Sequence, residues 1–141
     1  LPPHDIFAEE AVLASLMVSP EAMADVQPLA AQDFFREVHR WVYEACVAAT
    51  RRWSAAAPTP CNEVTVAHEL AQAGRLDDVG GLSFLSRIIT ELPTAGGVGA
   101  YAGIVRDCAR RRRQIAEAGR MAREAYNGAS SDSRGGRGGY E

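Results

Sequence analysis

Apolar residues recur every three or four positions along this chain from its first residues to about residue 126. No stretch alternates apolar and polar side chains between turn signals, so the pattern predicts helices throughout and no strand. The first helix is expected from Asp5 to Val18. Asp5 is its cap, Glu9 and Glu10 lie where the helix dipole favours negative charge, and Ile6, Leu13, Leu16 and Met17 form its stripe with Val12 alongside. Ser19-Pro20-Glu21 reads as an N-cap, Ser19, followed by Pro at the first position of a second helix carrying Ala22, Met23, Val26 and Leu29, which Pro28 should end or kink. After a turn anchored by Phe34 and Phe35, the period returns with Val38, Trp41, Val42, Ala45 and Ala49 on one face. A Pro- and Ala-rich loop then leads to Asn62, a good N-cap. The helix behind it turns Val66, Leu70 and Ala73 inward, and Gly74 suits its C-terminal cap. Asp77 and Asp78 open a fifth helix with Leu85, Ile88, Ile89 and Leu92 inside and Pro93 at its end.

The last periodic segment differs in kind. From residue 98 to 126 it predicts one helix of about 43 Å, too long for a small head to cover. Its stripe is Tyr101, Ile104, Val105, Cys108, Ile115, Ala118, Ala122 and Ala125, interrupted by Arg110–Arg113. Beyond it Gly, Ser and Arg dominate, which predicts a disordered tail or linker. The expected organisation is therefore an all-α chain: a compact helical head of about five to six helices over 1–97, one long C-terminal helix over 98–126, and a Gly/Ser/Arg tail over 127–141.

Composition narrows the chemistry. The chain has 141 residues, 47% of them hydrophobic, enough for one core without staples. No apolar run is long enough to span a membrane, no signal peptide is visible, and the start lacks an initiator Met, as expected of a fragment working in the cytoplasm. All fifteen basic residues are arginine. Without lysine there is no Walker A phosphate loop and no Schiff-base amine. Cys46, Cys61 and Cys108 read as free thiols of a reducing compartment, and no spacing of these with His4, His39 or His68 suits a metal. No nucleophile–base arrangement is visible, so no catalytic, cofactor-binding or metal-binding residue is expected.

Charge is unevenly spread. Residues 1–105 carry six arginines and thirteen acids, a balance of −7, whereas 106–141 carry nine arginines and five acids, a balance of +4. An acidic head suits a basic protein surface better than a phosphate backbone. Arg110, Arg111, Arg112 and Arg113 are possible nucleic-acid contacts. Four consecutive helical residues point in nearly all directions, however, so a solvated belt where the helix leaves the head is the competing reading. Ser133-Arg-Gly-Gly-Arg-Gly-Gly-Tyr140 reads as a short Arg-Gly segment or as a flexible linker.

Five ordered blocks carry a resemblance. They are Pro3-His-Asp-Ile-Phe-Ala-Glu-Glu-Ala-Val-Leu-Ala-Ser-Leu16, Asp33-Phe-Phe-Arg-Glu-Val-His-Arg-Trp-Val-Tyr-Glu-Ala45, Val64-Thr-Val-Ala-His-Glu-Leu70, Gly74-Arg-Leu-Asp-Asp-Val-Gly-Gly-Leu-Ser-Phe-Leu85, and Leu92-Pro-Thr-Ala95 continuing to Tyr101-Ala-Gly-Ile-Val-Arg106. Together they resemble the N-terminal domain of the bacterial replicative hexameric DNA helicases, the DnaB family. The resemblance implies a helical head whose long helix is the first arm of a helical hairpin. It implies homodimers assembling toward a hexameric collar, docking of primase or a helicase loader, and contact with DNA through the full hexamer. ATP and magnesium chemistry would belong to a separate C-terminal domain that this chain lacks. A Gly/Ser/Arg segment stands where the second hairpin helix would follow, so that helix is expected to be missing, truncated or replaced. Ile115, Ala118, Met121 and Ala122 are the expected contributors to subunit pairing or partner docking. The alternative is a single-stranded nucleic-acid-binding module using Arg110–Arg113 and the Arg-Gly tail.

Overall fold

The computed structural model describes the backbone of residues 1–94 and 96–140, and the side chains of residues 1–94 and 96–128. The elements are α1 (Ile6–Val18), α2 (Ala22–Asp25), a 3-10 turn (Ala31–Asp33), α3 (Glu37–Trp53), α4 (Glu63–Gln72), α5 (Leu76–Val79), α6 (Gly81–Glu91) and α7 (Val98–Tyr140). Among the described residues there is no strand. The all-α expectation of a helical head and a long final helix is the observed fold.

Helix α1 begins as its sequence dictates. The Asp5 carboxylate accepts the Ala8 N–H at 2.9 Å, satisfying one of the free amides of the first turn. Its packing is another matter. Every residue from Ala8 to Met17 is buried, because α3, α6 and α7 all pack against it. A one-sided stripe was expected; the observed helix is the axis of the head, apolar or neutralised on all sides. Glu9 and Glu10 are therefore interior residues, 1% and 4% exposed, and not surface charges at a helix dipole.

Around this axis α3 presents Val42, Tyr43, Ala45, Cys46 and Ala49 inward, and α4 presents Val66 and Leu70. Asn62 caps α4 as expected, its side-chain oxygen accepting the Val64 and Thr65 N–H groups at 2.9 Å each. Ala73 faces outward, because it is the C-cap where the helix unwinds toward Gly74 at φ 71°. Glu21, not Ser19, occupies the cap position of α2, with no side-chain bond. The single fifth helix expected from Asp77 is instead two. Gly80 adopts φ 106° between α5 and α6, a left-handed turn that ends the first and starts the second. Leu85 and Ile88 of α6 then close the core.

Helix α7 packs on α1 through Val98, Ala102, Val105 and Ala109, all buried. Its 43 residues span about 65 Å. The expected 98–126 helix lies inside that span. The tail expected over 127–141 falls almost wholly on residues whose side chains are outside those described. The stripe expected for α7 mixed two faces. Val105 points into the head, whereas Ile104 is 42% exposed and Ile115 is 58% exposed.

Candidate functional site

Two faces of α7 can be separated by its pitch. At about 100° per residue, Val98, Ala102, Val105 and Ala109 centre on the head-facing side, whereas Ile115, Ala118, Met121 and Ala122 centre roughly 160° away. The latter four are all exposed. Ile104 lies on the same outward stripe. On a third side of the arm Arg120 bridges Glu117 and Glu124, and these i,i+3 and i,i+4 pairs keep the charged face solvated. The arm past residue 113 is thus amphipathic, its apolar side turned away from the head. Ala118 and Ala122 keep that side low, so another helix can approach closely. Exposed Met121 and Tyr126 supply large apolar area beside it.

The four consecutive arginines do not act together. Arg110 pairs with Asp107 on its own helix. Arg112 donates to the backbone carbonyls of Pro3 and Asp33, both at 2.7 Å. Its guanidinium also lies 5.5 Å from the Phe35 ring, and Phe35 stacks on His4 at 4.3 Å. Arg113 donates to the Asp33 carboxylate at 2.9 Å, whose second oxygen accepts the Ala30 N–H. Two of the four thus tie α7 to the start of the chain and to the 3-10 turn. The solvated belt expected at this point is, for Arg112 and Arg113, a latch. No residue pattern announces it, since backbone carbonyls are invisible at that level.

Inside the head a polar cluster joins three helices. His39 is fully buried, with its Nδ1 2.7 Å from Glu9 Oε1 and its Nε2 3.5 Å from Glu10 Oε2. The Glu9 carboxylate also accepts the Phe35 N–H at 2.7 Å, which pins the start of α3 to α1. Arg87 of α6 donates to Glu10 at 3.1 Å and to Glu91, and both carboxylates push the Arg87 guanidinium further toward its charged form. Sequence reading missed this cluster as a unit. The available signal was two adjacent acids in a helix whose only other polar residue is Ser15. Most of its groups are spent on one another, although the buried His39 Nε2 makes no hydrogen bond. Cys46 and Cys61 lie in the same core, and the contact with Cys61, together with burial, pushes the Cys46 thiol well up. Among the described residues no group of three or more His, Cys, Asp or Glu side chains is placed to hold a metal ion.

The comparisons agree with one another. A family described as the DnaB-like helicase N terminal domain matches residues 1–107. The chain is 39% identical over 129 residues to replicative DNA helicase DnaB of Mycobacterium leprae, covering 91% of this chain and 20% of that protein. It is 36% identical over 127 residues to replicative DNA helicase DnaC of Bacillus subtilis, covering 89% of this chain and 27% of that one. The crystal structure of the N-terminal domain of DnaB helicase from Mycobacterium tuberculosis matches with a TM-score of 0.84 at 38% identity, covering 92% of this chain and 89% of that chain. The chain spans between a fifth and about a quarter of the length of these curated relatives, 20% and 27%.

Proposed function

The chain belongs to the family of DnaB-like helicase N-terminal domains, and on that premise we propose that it serves DNA replication as an assembly and docking domain. In this reading the outward face of α7 pairs with a second copy, and such dimers build toward a hexameric collar that receives primase or a helicase loader. ATP and magnesium are handled by a part of the protein outside this chain, and this domain performs no chemistry itself. The work is done in the cytoplasm, on DNA that the whole hexamer holds. Among the described residues no helix is long and apolar enough to cross a membrane.

One observation carries the proposal. Ile115, Ala118, Met121 and Ala122 form an apolar face that the head does not use and that points away from it. The nucleic-acid module is weaker, because Arg112 and Arg113 are engaged with the head. Sedimentation equilibrium tests the reading. The chain should self-associate at micromolar concentration. Ala118→Glu together with Met121→Glu should leave monomers with an unchanged melting temperature. A chain that stays monomeric at high concentration would overturn the pairing. Calorimetry with the C-terminal domain of a primase tests docking, and no heat of binding to the self-associated chain would remove it. Tight, steeply salt-dependent capture of single-stranded DNA by the chain would favour the module instead.

A further inference from the structure

A cleft of about 370 Å³ lies along the seam of α3 and α4. Trp41 forms one wall and Leu70 the floor, and Glu44 and Glu69 bring carboxylates to its rim and interior. Glu69 is 7% exposed, its charge held by Arg52 from the side at 2.8 Å. The occupant the cleft prefers is displayed by the chain itself. The Arg75 guanidinium lies 5.0 Å from the Trp41 ring and 3.8 Å from the Glu44 carboxylate. An aromatic face beside a carboxylate is the recognition chemistry of a cation on a flexible stem.

Arg75 is an exchangeable tenant. Its side chain is 37% exposed, its ion pair is long, and it makes no hydrogen bond to Glu44. It sits directly after the α4 C-terminal turn, where Gly74 at φ 71° sets the backbone path, so its stem can swing outward without moving a helix. The head as a whole suits a basic visitor, since residues 1–105 carry a balance of −7.

We infer that the α3–α4 cleft is a second docking surface, separate from the α7 arm, and that it takes an arginine-bearing segment of a partner protein by displacing Arg75 from Trp41. The incoming guanidinium stacks on the indole and pairs with Glu44, while Glu69 and Arg52 keep the wall of the cleft in shape. Displacement makes the site competitive with the chain's own side chain, so binding is weak until a longer segment adds contacts.

The test uses the peptide Gly-Arg-Gly-Gly-Arg-Gly-Gly and its twin with citrulline for arginine, a neutral isostere, titrated into the intact chain. The readout is the NMR signal of the Trp41 indole N–H and of α3 and α4 amides. The arginine peptide should shift these signals and the citrulline peptide should not. Arg75→Ala should tighten binding by about five- to tenfold, the size of one cation–π contact given up by the competitor. Arg75→Gln should act in the same direction, and Glu44→Gln should weaken binding at least threefold. Equal binding of both peptides, shifts confined to other elements, or an Arg75→Ala variant with unchanged or weaker affinity would each overturn the inference.

Discussion

Glu9 shows how much a single side chain can organise here. Its carboxylate accepts from the Phe35 N–H and sits against His39, so it holds α1 to the start of α3 within the core. Glu9→Gln keeps the shape but removes the charge. It should cost about 2–3 kcal/mol, seen as a lower denaturant midpoint at an unchanged slope. Glu37→Gln, on the exposed side of α3, should change the midpoint little. Thiol chemistry offers a second check at this scale. Cys46 and Cys61 are buried, whereas Cys108 is half-buried and has a pKa raised by its surroundings. A disulfide reagent should therefore titrate one thiol of the native chain and three after unfolding. The reaction at Cys108 should speed up with pH, because a raised pKa leaves little thiolate near neutrality. Caps and anchors were legible residue by residue: Asp5, Asn62 and Phe34 stand where local pattern put them. Glu9, Glu10 and His39 were not, because what neutralises each one comes from a different helix.

Helices are the level at which pattern and structure agree best and also part most instructively. Existence and order of the helices followed from periodicity, but α1 has no exposed side to generate a period, and its burial is a property of the three helices around it. The split between α5 and α6 depends on Gly80 taking φ 106°, a choice that a run of acids at a helix start does not announce. A Cβ at Gly80 would also come within 3.0 Å of the Phe84 Cβ. Gly80→Ala should cost about 1–3 kcal/mol in thermal or chemical unfolding. For α7, Arg112→Ala removes donors to Pro3 and Asp33 and should raise hydrogen exchange over Val98–Ala109. Arg111→Ala, whose side chain is exposed, should leave exchange there unchanged. Equal effects of the two variants would mean that the four arginines act as a diffuse belt after all.

The whole molecule divides into a head that is satisfied and an arm that is not. Residues 114–128 contribute almost nothing to the core, so a chain ended after Arg113 should melt close to the full chain yet lose self-association in the ultracentrifuge. The family was readable because five blocks in order run through the head and into the start of α7, ending at Arg106. The latch and the α3–α4 cleft were unreadable, since each is assembled from positions far apart in sequence. That separation bears on how the protein comes into being. Pro3 and Arg112 meet across 109 residues, and α1 completes its surroundings only when α7, which lies far behind it in the sequence, has been made. Such distant closure slows folding relative to chains rich in local contacts. A nascent head therefore keeps the greasy sides of α1 uncovered until the start of α7 has been made, and the moment α7 docks is also the moment its other face becomes available to a neighbour.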